Sequence, residues 1–377
     1  MKRFHILLFS SVAGLVIFSA CGKTTVPGTQ DGNWYREVAP FQGPARSHAV
    51  SFVINQTQNG VTSSIGTTAY VGMGVDNYNT KYNDFYQCIP FSDSTVSWTQ
   101  VVSCPGIGRT DAVGFSIGAE GYVGLGQDSA LNVLADFWQY DSASNAWTSI
   151  APFGGPPRYL AVGFGIQNLG YVGTGYDTRF YYGDFYKYDP SSNTWSAAPT
   201  YTGFKRASAV SFVWDNIAYV VTGIGENGGV VNDFYRFSIS NVPADSYHPV
   251  AQLANTWLHL NSITNVSPAT FDDGYTNIQR SAAVAFVMTG VTSGLGSPDN
   301  GRPKAFLTCG SAGSSTWEYD ILSDLWTSRT AFESPSVNYA VAFTISNRGF
   351  VTTGATGSTG VSSTSEFFPD EVYNAQD

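Results

Sequence analysis

Five arginines recur in one local setting. Arg46 opens RSHAVSF at 46–52, and the heptad returns as RTDAVGF at 109–115, RYLAVGF at 158–164, RASAVSF at 206–212 and RSAAVAF at 280–286. A sixth copy, VNYAVAF at 337–343, carries Val337 where Arg109, Arg158, Arg206 and Arg280 stand in theirs. Asp76, Asp128, Asp177 and Glu226 follow a second repeated string. A guanidinium is a planar, always charged fork that binds carboxylates and similar groups through two parallel hydrogen bonds. Five such forks facing four carboxylates have two readings. One is a set of ion pairs between repeats, individually weak when exposed. The other is a polar funnel that holds an anionic or hydroxyl-rich ligand.

Other chemistries have little to work with. The chain carries four histidines, of which His48, His248 and His259 lie beyond the first twenty residues, and no Cys/His spacing suggests zinc. No nucleophile elbow or phosphate loop is present. The formal charge of −10 argues against nucleic acid as a partner, since phosphate binding needs a basic face. Charged residues at 12% and aromatics at 15% are the reverse of a disordered composition, and Gly, Thr, Ser, Tyr and Phe outweigh the helix formers.

The elements that position the arginines are short strands. The string after each heptad reads AYVGMG at 69–74, GYVGLG at 121–126, GYVGTG at 170–175, AYVVTG at 218–223, AFLTCG at 305–310 and GFVTTG at 349–354. A third string begins at Asp84, Asp136, Asp184 and Asp233, with weaker copies at Thr316 and Ser365, and a fourth carries Trp98, Trp147, Trp195, Trp257 or Trp326. Four β-rich runs separated by Gly, Asn, Asp and Ser clusters predict four strands per unit. The mean period is about 58 residues. In each first strand, small residues (Ala49 and Ser51, Ala112 and Gly114, Ala161 and Gly163) alternate with Val and Phe. Period two sends the small side chains to a crowded axis and the large ones between units. The sixth unit ends after Phe368 without a fourth-strand Trp, whereas a spare Trp34 precedes the first unit. Trp34 to Ala49 is 15 residues and Trp98 to Ala112 is 14, so the segment near Trp34 is expected to supply the missing outer strand.

This pattern resembles kelch repeats over nearly the whole chain after its leader. The tail YDPSSNTW at 188–195, with Arg158 and Gly173 upstream, carries the resemblance; the usual Gly-Gly doublet is here Gly-x-Gly or a single Gly. The resemblance implies an all-β, six-bladed propeller of four antiparallel strands per blade over 33–377, closed around Trp34. It also implies that the arginines sit at the channel mouth, on the face of the fourth-to-first and second-to-third strand loops. There, 261–279 brings Asp272, Asp273 and Tyr275, and Arg179, Phe180, Tyr181 and Tyr182 add aromatics. Loops 54–68 and 289–304 are expected on the opposite face. Galactose oxidase-like members of the family use copper held by two His and two Tyr, and the histidine inventory argues against that; no cofactor or metal is expected. The exported six-bladed N-acetylneuraminate epimerases are similar at fold level and imply sugar epimerisation or mutarotation, which needs only a general acid/base pair.

The first residues read as an address. Lys2 and Arg3 precede an apolar run over 6–18, too short to span a bilayer, and Phe18 to Cys21 resembles the lipobox of bacterial lipoproteins. The expectation is a signal peptide over 1–20, a lipid on Cys21 and a polar tether over 21–32. Without Lys2 and Arg3 the charge of −10 becomes −12. That places the protein in a bacterial cell envelope, anchored to the outer membrane through the lipid alone. An exported protein permits disulfides. Cys88 and Cys104 are either bridged, closing a loop of about 15 residues, or two buried thiols. The functional expectation is a monomeric, non-catalytic binding module that meets a glycan or a protein at the channel mouth. The alternative is a sugar epimerase or mutarotase.

Overall fold

The computed structural model describes residues 32–36, 38–54, 57–58, 61–62, 68–92, 95–244, 250–263, 278–291 and 302–376. They form six four-stranded antiparallel sheets arranged as blades about a central channel, with a single 3-10 turn at Gly310–Ala312. From the axis outward, blade 1 consists of Val50–Ile54, Thr68–Gly72, Phe85–Ser92 and Thr95–Val101. Blade 2 consists of Val113–Ile117, Glu120–Gly124, Phe137–Asp141 and Ala146–Ile150. Blade 3 repeats this from Val162–Ile166 to Thr194–Ala197, blade 4 from Val210–Trp214 to Thr256–His259, and blade 5 from Val284–Val291 to Leu325–Arg329. Blade 6 has Val341–Ile345, Arg348–Thr352 and Thr364–Phe368, and takes its outer strand from Asn33–Tyr35. The expected closure is present: Trp34 lies opposite Phe367 and Tyr35 opposite Glu366.

Burial follows the alternation in the inner strands. Val50, Phe52 and Ile54 are buried, and Ser51 and Val53 are half-buried toward the axis. The large side chains do not form one core. They form six separate clusters, one at each junction between neighbouring blades. At the junction of blades 1 and 2, Phe52 stacks on Tyr70 at 5.1 Å and meets Tyr140 and Trp147 of the next blade at 6.1 and 6.4 Å. Edge and stacked aromatic pairs of this kind add about 0.5–1.5 kcal/mol each beyond their burial. The small residue opening each second strand is part of this packing: a Cβ on Gly121 would lie 2.1 Å from the Phe52 ring.

Outer-strand tryptophans tie five of the blades to the one before. Indole Nε1–H groups of Trp98, Trp147, Trp195 and Trp257 donate to the carbonyls of Ala39, Val102, Ala151 and Pro199, at 3.0–3.3 Å. Trp34 does the same to Thr330 at 3.2 Å, so the segment from the far end of the chain behaves as an ordinary outer strand. Its ring is fully buried against Phe332 and Phe367, both 4.8 Å away. Trp34→Ala is therefore expected to destabilise the ring by about 3–5 kcal/mol, as large buried aromatics do. Chemical denaturation measures this, and an unchanged midpoint would mean that blade 6 closes without this strand.

Candidate recognition face at the channel mouth

The mouth is framed by backbone. The third residue of each of the six heptads has a left-handed conformation: His48, Asp111, Leu160, Ser208, Ala282 and Tyr339 all have φ between 51 and 57°. Such values are uncommon outside glycine. Here each residue donates its N–H to the equivalent carbonyl of the preceding blade, at 3.0–3.2 Å, and the chain of bonds closes on itself from Tyr339 to His48. Six side chains are thereby set around the axis at equivalent positions. A second closed ring lies beside it. Gly74, Gly126, Gly175, Gly223 and Gly354 donate to the carbonyls of Arg109, Arg158, Arg206, Arg280 and Arg46, and Gly310 donates to Val337.

The arginines are not where a ligand could reach them. All five are 0% exposed. Each Nε donates to the carbonyl two residues back, as Arg46 does to Pro44 at 3.0 Å. Each Nη1 donates to the carbonyl before the ring glycine: Met73, Leu125, Thr174, Thr222 or Cys309. The remaining hydrogen bonds go to the aspartate that opens the third strand of the same blade. Arg46 grips Asp84 at 2.5 and 2.9 Å, Arg109 grips Asp136 at 2.6 and 2.7 Å, and Arg158 grips Asp184 at 2.6 and 3.2 Å. Arg206 pairs with Asp233. In blade 5, Ser315 stands in the place of the aspartate and accepts from Arg280, whose pKa burial lowers to about 10. Burial pushes the Asp136 carboxyl up, but the hydrogen bonds and charge of Arg109 outweigh it and hold the group below its ordinary value.

The pairing expected with Asp76, Asp128, Asp177 and Glu226 is therefore corrected. The acids that meet the guanidiniums lie later in each repeat, because the fork points inward along its own blade. Asp76 instead caps its own loop, accepting from the N–H of Tyr78 and Thr80 at 2.8 Å and from the Tyr82 hydroxyl at 2.7 Å. Asp128 does so through Ala130 and Asn132, and Asp177 through Arg179, Phe180 and Tyr182. This is the side-chain turn capping at which Asp excels. Glu226 makes an exposed ion pair with Lys205 at 3.1 Å. The capped loops hold apolar tips out from the face: Tyr78 is 90% exposed, Leu131 67% and Phe180 61%. Beside them Tyr176 packs against Tyr159 and Tyr181, with ring centres 5.7 and 4.6 Å away.

One polar pair at the mouth was only half visible in the sequence. His48 Nδ1 lies 2.6 Å from Asp111 Oδ1, and the imidazole stacks on the Tyr339 ring at 3.8 Å with 20° between planes. The His48 and Asp111 side chains are 26% and 11% exposed. The signal was their shared place, two residues after the arginine in adjacent repeats. A cavity of about 340 Å³ opens next to His48 and Tyr339 between the loops of blades 6 and 1. The other end of the channel is a space of about 460 Å³ lined by the inner strands. Its hydroxyls are occupied by neighbouring blades: Ser116 donates to Val53 at 2.5 Å and Thr344 to Val287 at 2.8 Å.

Cys88 and Cys104 are separate buried thiols, a correction to the bridged alternative. Cys88 packs at the junction of blades 6 and 1 and Cys104 at that of blades 1 and 2. Burial raises both thiols, Cys104 to about 11. Cys21, Asp272, Asp273, Tyr275 and His248 lie outside the described residues. Among the described residues no group of three or more His, Cys, Asp or Glu side chains is arranged to hold a metal ion, and no helix is long and apolar enough to cross a membrane.

Fold and mouth together define a six-bladed β-propeller whose blades are pinned by buried arginines. No protein-family model matches the chain, and no curated protein matches it in sequence. Solved structures match in fold, 522 chains, and a likeness of fold does not by itself carry an activity. One of them, titled "Structure of YjhT", aligns with a TM-score of 0.63 over 87% of this chain and 95% of that one, at 15% identity.

Two outcomes follow. Arg206→Met leaves Asp233 buried without its cation, so a loss of about 3–5 kcal/mol is expected; equal stability of variant and parent in urea would return this arginine to the candidate ligand contacts. The Asp76 carboxyl is held below its ordinary range, chiefly by the Tyr82 hydroxyl, and that of Asp128 chiefly by Asn132. A carboxyl with a lowered folded pKa gives stability that is complete above its unfolded value of about 4 and disappears as the pH falls through the folded one. Melting temperature should hold from pH 7 to about 5 and fall below about 4. Asp76→Asn with Asp128→Asn should lower the neutral value and make the acid fall shallower; an unaltered acid fall contradicts the assignment.

Proposed function

We propose that the protein is a non-catalytic binding module that recognises a glycan on its mouth face. The observation that carries this reading is the division of labour there. The charges of the repeat are spent in pairs inside the blades, while aromatic rings stand on the mouth-side loops of blades 1 and 3, exposed at Tyr78 and Phe180 and half-buried at Tyr159, Tyr176 and Tyr181. A face rich in Tyr and in hydrogen-bonding loops, with its charges already paired, is built for contact rather than for bond making. The sequence features of the leader support export and attachment to an outer membrane through lipid on Cys21, with a monomeric propeller held off the bilayer by 21–32.

A second reading, sugar epimerisation or mutarotation, draws on the His48–Asp111 pair. An Asp that accepts from Nδ1–H leaves Nε2 as a proton acceptor. In mutarotation such a base takes the anomeric hydroxyl proton as the ring C–O bond breaks. The ring oxygen takes a proton, and closure on the other face restores it, with no oxidant or reductant involved. A glycan array, followed by proton NMR of anomer exchange on any sugar that binds, separates the two. Binding with exchange no faster than in buffer supports the binding module. Exchange that is accelerated and lost in His48→Asn supports the enzyme. An array without signal removes both.

A further inference from the structure

We infer that the cavity between blades 6 and 1 is a subsite for a single uncharged, hydroxyl-rich ring, a neutral pyranose, and that it discriminates against acidic sugars. The inference rests on the glycan reading of the mouth face and names the ligand class within it.

The subsite exists because the repeat is broken there. In blades 1, 2 and 3 the loop after the second strand is filled by a capping Asp and a large tip, as at Asp76 and Tyr78. In blade 6 the same loop is a hairpin of two-residue strands, Ala355–Thr356 and Thr359–Gly360, made of Ala, Thr, Gly and Ser. Small side chains leave the space of about 340 Å³, near the lower end of the range for small-molecule pockets and suited to one sugar ring rather than several. The walls are braced: Gly360 N–H donates to Asn77 Oδ1 at 2.6 Å, joining the loops of blades 6 and 1. Tyr339 and His48 form a stacked planar wall, and Asp111 fixes the imidazole at 2.6 Å.

The lining has unused hydrogen-bonding capacity. Asn79, Asn338 and Ser358 face the cavity, and their side chains make no hydrogen bond to another described residue. Two amides and a hydroxyl offer both donors and acceptors, which is what a ring bearing several hydroxyls requires. The charge balance excludes an anion. No Lys or Arg lines the cavity, whereas Asp76 does, and its capping bonds favour the ionised form. The nearest arginine of the repeat, Arg46, is fully buried and gripped by Asp84. A sugar carboxylate entering here would meet a like charge with no fixed cation to offset it.

Ligand-observed NMR on the full chain tests this with glucose, galactose, N-acetylglucosamine, glucuronate and N-acetylneuraminate as probes. At least one neutral sugar should bind, and each acidic sugar at least tenfold more weakly. Asn79→Gly with Asn338→Ala should weaken the neutral sugar tenfold or more with the melting temperature little changed, glycine being chosen because Asn79 has φ 64°. Ser358→Trp, which fills the space on an exposed hairpin, should abolish binding. Leu253→Ala, at an exposed side chain in the loop between the third and fourth strands of blade 4, should leave it intact. Acidic sugars binding as well as neutral ones would overturn the charge argument. Neutral binding that survives the Asn79, Asn338 and Ser358 changes but is lost in Tyr181→Ala would move the site and leave the glycan reading standing. Silence from all five probes and from larger glycans would remove both.

Discussion

The architecture depends on one contact made six times: a glycine N–H at the end of a second strand donating to the carbonyl of the residue that begins the next blade's first repeat string. Five of those acceptors are arginine carbonyls. The same arginine turns its side chain the other way, into its own blade, where it holds the carbonyl before the ring glycine and the aspartate that opens the third strand. Backbone and side chain together clamp three segments wherever the arginine is present. The glycine has little freedom of identity, because a Cβ on Gly74 would stand 2.6 Å from the Ser47 carbonyl and its φ is 91°. Buried ion pairs are weak evidence for stability as such. In this ring they fix which strand ends meet, and so where the mouth residues stand.

Blades 5 and 6 show what happens as the clamp is dismantled. Blade 5 keeps Arg280 but has Ser315 for the aspartate, and blade 6 has Val337 with Ser363 opposite. Both backbone rings nevertheless remain closed through these blades. Charge reappears farther out along the strands. Lys304 meets Asp320 at 2.5 Å, Arg329 meets Glu318 at 2.7 Å, and Arg348 grips Glu366 at 2.5 Å, all substantially buried between blades. The loss of bulk at the mouth of blade 6 is also what leaves room for a cavity. Departure from the repeat, rather than the repeat itself, marks the place where recognition chemistry can sit.

Much of the fold was legible because each repeat states it independently. Period-two alternation in the first strands, the recurrent tryptophans and the displaced Trp34 give blade number, strand order and closure. The site was less legible, for two physical reasons. A recurrent arginine followed by a recurrent acid looks the same in sequence whether the acid is Asp76 or Asp84, and only the direction of the fork decides between them. The His48–Asp111 pair joins residues 63 positions apart. It emerges only when neighbouring heptads are laid over one another and their third positions are compared. The two cysteines show the same limit: proximity along a hairpin says nothing about the opposite blade faces on which Cys88 and Cys104 are buried.

The seam at Trp34 imposes an order on biosynthesis. Trp34 N–H reaches the Glu333 side chain across 299 residues, and its strand pairs with 364–368, close to the C-terminal end of the chain. While the ribosome is still at work, blades 1 to 5 can stack in turn, but each stage leaves an unpaired sheet edge at the growing front and Trp34 uncovered at the rear. Such edges invite pairing with other chains. A transcript cut short anywhere before the last hairpin therefore yields an open arc rather than a smaller wheel, with unpaired blade faces and the Trp34 strand on display to chaperones and proteases.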